Sequence, residues 1–244
     1  MKIEIYPSPS EMGKYASKRI ARSLRCAIRN QGYARLLLST GASQFPMFDA
    51  LIHEDVDWNA VEMFHLDEYI GLPLTHKASF RKYLNERFIS RVSLHAAYLI
   101  DGEGDIAALA AGLKSTLIER PIDVGVVGIG ENGHIAFNDP PADFDSEEAY
   151  IAVRLDDRCK AQQVGEGWFE NIEAVPDSAL SMTVNQILKC KMIISVVPHA
   201  VKADAIYNTF NNPVTNTVPA TILKTHPDWS LFLDNASAAR IINI

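Results

Sequence analysis

Short apolar runs rich in Val, Ile and Leu recur along this chain with helix-period segments between them, and that alternation limits the fold more than any other feature. Strands separated by crossover helices bury their apolar faces in a parallel sheet covered on both sides. Strands are expected at Ala34 to Ser39, Val61 to Leu66, Ala97 to Ile100, Val124 to Ile129, Tyr150 to Leu155, Met192 to Val197 and Ser230 to Leu233. Helices are expected at Ser10 to Asn30, Phe45 to Glu54, Ser79 to Ser90, Asp105 to Glu119, Thr183 to Lys189 and His199 to Phe210, with a short one after Asn235. The pattern predicts an α/β fold, a doubly wound and mostly parallel sheet of about seven strands with helices on both faces. With 244 residues, 48% of them hydrophobic, the chain can bury a full core, so residues 1–244 are read as one domain.

Composition removes several function classes. A formal charge of −7, with no basic run longer than the interrupted Ser17 to Arg25, opposes nucleic-acid phosphates, and that run reads as the solvated face of a helix. Cys26, Cys159 and Cys190 are odd in number and form no CxxC pair, so neither a disulfide framework nor a cysteine-based zinc site is expected. The first residues hold no apolar signal core and no later stretch reaches membrane-spanning length, so neither secretion nor membrane insertion is expected. A reducing cytoplasm fits best.

Ligands of doubly wound sheets bind beyond the carboxyl ends of the strands, which draws attention to three loops. The segment Gly128 to Pro140, GIGENGHIAFNDP, contains G-x-G-x-x-G, but a dinucleotide fingerprint should open a helix, and Pro140-Pro141 leave room for none. It does concentrate Glu131, Asn132, His134, Asn138 and Asp139 at a strand end, and a histidine near a carboxylate suits general acid or base work at neutral pH. In His65 to Pro73, Asp67 and Glu68 are adjacent and point different ways, so one can face a ligand while the other anchors the loop. In Leu38 to Gln44, small residues expose N–H groups before a helix, an anion cradle to which Lys202 can add charge. That loop lacks the lysine and spacing of an ATP P-loop. Residues 142–181, with GEG and the bulky Trp168 and Phe169, read equally as a mobile lid or as an excursion packed by its own aromatics.

Together the Asp67 to Pro73 run, DEYIGLP, the GENGHIAFNDP run and STGAS resemble the glucosamine-6-phosphate deaminase (isomerising) family over nearly the whole chain. The related 6-phosphogluconolactonases lack the Phe137-Asn138-Asp139-Pro140 continuation and carry D-E-R where this chain has Asp67-Glu68-Tyr69. The resemblance implies a Rossmann-like three-layer sandwich. It also implies conversion of an aminosugar 6-phosphate and water to a ketohexose 6-phosphate and ammonia, with no cofactor and no metal. It implies that His134 opens the sugar ring with Asp139 orienting it and Asn132 beside it, that Asp67 moves the proton from C2 to C1, and that Thr40, Gly41, Ala42, Ser43 and Lys202 bind the phosphate.

Four positions depart from the family pattern. Asp139 stands where many members carry Glu, Asn132 where hexameric members carry Asp, and Gln163 where a phosphate-binding arginine aligns, with Arg158 a candidate substitute. The chain also ends at Ile244 without the tail of the hexameric members, so a monomer or small homo-oligomer without activation by an N-acetylated sugar phosphate is expected. The alternatives to a deaminase are a phosphosugar lactonase using His134 as base, and a non-catalytic sugar-phosphate sensor. The retention of both Asp67 and His134 favours catalysis.

Overall fold

The computed structural model describes residues 1–241. Its elements in chain order are β1 Lys2–Tyr6, α1 Pro9–Gln31, β2 Ala34–Leu38, α2 Phe45–Leu51, β3 Val61–His65, β4 Asp67–Tyr69, α3 Phe80–Arg87, β5 Ala96–Tyr98, α4 Ile106–Glu119, β6 Val124–Val126, β7 Tyr150–Arg154, α5 Asp157–Gly165, β8 Ser178–Met182, α6 Val184–Leu188, β9 Met192–Val197, α7 Ala203–Asn211 and β10 Trp229–Asp234.

Seven strands form a parallel sheet in the order β1-β10-β9-β6-β2-β3-β5. Side chains alternate between its faces, as strand geometry requires. On β2, Leu36 and Leu38 join Met12, Ile20 and Leu24 of α1 and Phe48 of α2, while Leu37 faces the opposite way toward Leu113 and Leu117 of α4 and Ile206 of α7. Helices therefore cover both faces, and the runs read as strands are nearly continuous in apolar character because both faces are buried. No helix among the described residues is long and apolar enough to cross a membrane.

The connectivity reverses beside β2. The chain steps from β2 to β3 and β5 on one side, then returns to place β6 on the other. The β2–β6 gap is thus the switch point, and the loops after Leu38 and Val126 part there and leave a crevice. The register aligns Leu38 with His65 and Val126, so the ends of β2, β3 and β6 lie at one edge.

A second, antiparallel sheet of order β4-β8-β7 stands over this edge. It is tied down by the Tyr150 hydroxyl donating to the His65 carbonyl at 2.7 Å and by Met182 N–H donating to the Leu66 carbonyl at 3.0 Å. Its own apolar cluster gathers Tyr69, Phe137, Leu155, Cys159, Phe169 and Ala179.

The seven-stranded sheet was expected, but its membership differs. The strand at Tyr150–Arg154 belongs to the second sheet, where its outer residues alternate with exposure, and β1 takes its place as an edge strand of the main sheet. Lys2 and Glu4 interrupt β1, which gives it the alternation of an edge rather than an apolar run. β4, β8 and α5 were not expected; Asp67–Tyr69 is a strand because tertiary pairing with β8 overrides its low strand propensity. The residues after Asn235 form turns as far as 241, not a helix, and the helix expected from His199 opens with a 3₁₀ turn at Ala200–Lys202.

Candidate active site

A cleft of about 530 Å³ opens at the switch point, lined by Thr40, Gly41, Ala42 and Ser43 after β2, by Asp67, by Gly130, Glu131 and His134 after β6, and by Lys202. The wall toward the second sheet adds Gln162, Gln163, Glu166 and Trp168, and the loop after β9 adds His199. Seven of the nine residues singled out in the sequence line this one space. The other two, Asn132 and Asp139, stand behind His134.

At the first corner, Ala42–Gln44 form a 3₁₀ turn that runs directly into α2. Its leading N–H groups have no intrahelical acceptor, which leaves them aimed at the cleft. Gly41 sits at φ 108°, a conformation that suits glycine, and its carbonyl accepts from the Tyr83 hydroxyl at 3.0 Å. The Gln44 amide donates to Ser43 Oγ and to the Val196 carbonyl, both at 3.0 Å, tying this turn to the end of β9. Because Ser43 Oγ accepts that bond, its own hydrogen is free for an anion. Lys202, nearly buried, faces the same corner; burial lowers its pKa, while Glu166 and Glu131 pull it back up.

At the second corner, Asp67 and Glu68 divide as the alternation of a strand dictates. Glu68 is fully buried and accepts from the N–H groups of Tyr69, Phe80 and Arg81 and from Ser79 Oγ, so it is an anchor that fixes the start of α3. Asp67 turns into the cleft, where its carboxyl accepts no hydrogen bond among the described residues. Burial, and then the neighbouring Glu68 charge, push its pKa up to about 8.

At the third corner, His134 Nδ1 lies 3.0 Å from Asp139 Oδ1 and has no other partner among the described residues. The expectation that Asn132 holds His134 needs refining, because Asn132 Oδ1 accepts from the His134 backbone N–H at 3.0 Å while Asn132 Nδ2 donates to Asp139 Oδ1 at 2.9 Å. Asn132 is thus a bridge, and an amide suits the place better than a carboxylate, which would repel Asp139. Burial alone would raise the Asp139 carboxyl, but His134, Asn132 and the Cys159 thiol hold it at about 2, so it stays an anion. A Cβ on Gly130 would overlap the His134 ring; the glycine exists so that the imidazole can lie against the backbone. Asn138 donates to the carbonyls of Ile135 and Met182 and pins the loop to β8. No helix follows His134, as Pro140-Pro141 led us to expect.

Gln163 does not reproduce a cationic clamp. It is buried and accepts from the Tyr69 hydroxyl at 2.7 Å, and Arg158 is exposed and absent from the cleft lining. Two groups escaped the sequence reading. Glu166, held by Trp168 Nε1 and Gln162, arrives on the unexpected α5, whereas His199 follows a strand directly and was legible by the rule that picked the other loops.

Residues 7–231 match the family model described as glucosamine-6-phosphate isomerases/6-phosphogluconolactonase. The chain is 33% identical over 240 residues to a glucosamine-6-phosphate deaminase of Lactobacillus delbrueckii subsp. bulgaricus, covering 98% of this chain and 99% of the relative. A solved structure of a monomeric glucosamine-6-phosphate deaminase superposes with a TM-score of 0.88 at 26% identity, covering 98% of this chain and all of that one. A 6-phosphogluconolactonase structure from Shewanella baltica superposes less closely, with a TM-score of 0.77 at 19% identity over 96% of this chain and 97% of its own, a likeness of fold alone. Matched over most of its length by the family model and by a relative of the same size, the chain belongs to the glucosamine-6-phosphate isomerase/6-phosphogluconolactonase family.

Proposed function

We propose that this protein is an isomerising deaminase that converts an aminosugar 6-phosphate, glucosamine 6-phosphate or its C4 epimer, and water to a ketohexose 6-phosphate and ammonia. The observation that carries the reading is Asp67, a cleft-facing carboxyl with no hydrogen bond and a pKa near 8, set apart from the His134–Asp139 pair. Two groups of different character, supplied by different strands, suit a reaction with two kinds of proton transfer.

The phosphate is seated on the N–H groups of Gly41, Ala42 and Ser43 and on Lys202, with Thr40 beside them. His134 moves the proton that opens the pyranose ring, and the permanently ionised Asp139 keeps the imidazole oriented. Asp67 takes the proton from C2 and returns it to C1, turning the aminoaldehyde into a C1 alcohol and a C2 imine. Water adds to C2, and ammonia leaves as the ketone forms. A carboxyl near neutral pKa suits this shuttle because it both accepts and releases the proton. The carboxylate must carry no permanent partner, and Asp67 has none among the described residues.

A lactonase needs only His134 to activate water and leaves Asp67 without a task; a sensor needs neither. The wall made by α5 and Glu166–Trp168 is the part of residues 142–181 that we take as the cover over the sugar. Ammonia release from glucosamine 6-phosphate and galactosamine 6-phosphate tests the reading. Release from either supports it; none from both, with hydrolysis of a phosphosugar lactone in a pH-stat, overturns it.

A further inference from the structure

The charges of the cleft do not balance a phosphate ester. Among the described residues its lining holds one Lys or Arg side chain, Lys202, against two carboxylates, Glu131 and Glu166, with Asp67 mostly protonated at neutral pH. A phosphate monoester carries about −1.5 to −2 at neutral pH, and Gln163 brings no charge to the wall that faces it. The amides of the 3₁₀ turn supply dipoles but no net charge.

His199 lies on the same rim, three residues before Lys202, and lines the cleft. It has φ 81°, one of only two non-glycine residues with positive φ among the described residues. Histidine in that region is strained, and such strain persists where surrounding structure enforces it, often at a binding site. Here the enforcement is visible: the His199 N–H donates to Asp234 Oδ1 at 3.1 Å, and the same oxygen accepts from Ser237 N–H at 2.8 Å at the end of β10. Glycine would fit this turn without strain, so the imidazole is retained against the preference of the backbone.

We infer that His199 is a binding residue for the substrate phosphate, the second and titratable positive charge of the site, acting where Gln163 supplies none. This inference rests on the deaminase reading for its substrate, but not for its anion. The charged and titratable groups that share its surroundings are Lys202 on the next turn, Glu131 and His134 on the loop after β6, Glu166 after α5, and Asp234, which is committed to backbone amides. Binding through an imidazolium weakens as pH rises through the histidine range, which the amides cannot produce, and comparing variants at each pH separates it from Lys202, whose own pKa burial lowers.

The test compares wild type with His199→Gly, which adopts φ 81° and ψ 145° without strain, and His199→Asn, which keeps a polar side chain at the same strained backbone but carries no charge. KM for the aminosugar 6-phosphate is measured from about pH 6 to about pH 8. The ratio of variant to wild type at each pH cancels the ionisation of Asp67 and of the substrate phosphate itself. We expect a ratio of about 10 near pH 6 that falls toward 1 near pH 8, with the glycine variant melting at or above the wild-type temperature and the asparagine variant close to it. A ratio of 1 throughout, or one that does not change with pH, overturns the inference. Calorimetric titration with inorganic sulfate, a dianion whose charge is constant over this range, separates the two proposals. If wild type turns over no aminosugar phosphate, the reaction is wrong, and sulfate alone decides on His199. Weaker binding to His199→Asn near pH 6 but not near pH 8 upholds its role, and equal binding rejects it.

Discussion

Replacing Asp67 with Asn should stabilise the protein while it abolishes turnover, and the size of the gain follows from the burial of the carboxyl. Burial, with Glu68 next to it, raises the Asp67 pKa to about 8 in the folded chain, whereas in the unfolded chain it returns to the ordinary carboxyl value. Below that ordinary value both states hold the proton and no stability is lost. As pH rises from there toward 8 the unfolded chain releases its proton and the folded chain does not, so the folded state loses about 1.4 kcal/mol per pH unit. Above pH 8 the loss is complete and has a ceiling of about 6 kcal/mol. The cleft is open to water and relaxation reduces the penalty, so a realised cost of about 2 to 3 kcal/mol is the working figure. Asparagine cannot ionise and escapes it. At about 2 to 4 °C per kcal/mol for a chain of this size, Asp67→Asn should melt about 5 to 10 °C above wild type near pH 9 and within about 1 °C of it near pH 4. Differential scanning calorimetry at several pH values reads the slope, which an altered hydrogen bond of the amide, constant with pH, does not imitate. A difference in Tm that is flat with pH, or that shrinks as pH rises, would refute the reasoning. The same carboxyl would then have to be paired or solvated in the folded chain.

The same ionisation should govern activity in the opposite sense, because the base must be deprotonated: kcat/KM should fall about tenfold per unit below an apparent pKa near 8, read from initial rates of ammonia release. Gly130→Ala should drive the His134 ring from its place and lower kcat/KM by about 100-fold, while far-ultraviolet circular dichroism shows the fold intact. Glu68→Gln should cost about 2 to 4 kcal/mol in denaturant unfolding, since three backbone amides and a hydroxyl lose a charged acceptor, and should move the acid limb of the rate profile downward. Asn132→Asp should lower kcat by at least tenfold, because a second carboxylate beside Asp139 replaces the amide donor.

The parts of this molecule that were legible in the sequence are those whose character is set by local pattern. β2, β3, β6 and β9 are buried on both faces and read as apolar runs, and α1 shows its start and stop in Ser8 and Gly32. The adjacent carboxylates at Asp67 and Glu68 point different ways as strand alternation requires, one into the cleft and the other onto backbone amides. What escaped was set by distant partners. Asp67–Tyr69 has no strand propensity to speak of and becomes β4 only because β8, more than a hundred residues later, pairs with it. α5 carries the chemically awkward Gln163 and Glu166 into the cleft through a second sheet that no periodicity announces.

His199 shows where a stricter use of the sequence rule would have reached further. His199 stands two residues after β9 as Asp67 stands two residues after β3, in a loop that directly follows a parallel strand. The crevice lies between β2 and β6, yet β9 is the next strand over from β6, and Gln44 stitches the end of β9 to the turn after β2. That hydrogen bond couples the two loops, and residues of both line the cleft, so under the proposed function they act on one phosphate. A sheet register fixes which strand ends are level, but only a cross-loop bond fixes which of them act together. Gln44→Leu, which keeps the volume and removes the bond, should therefore weaken phosphate binding through both loops at once. Its loss in KM should exceed that of Ser43→Ala, which removes one donor, and equal losses in the two variants would show that the loops hold their places independently.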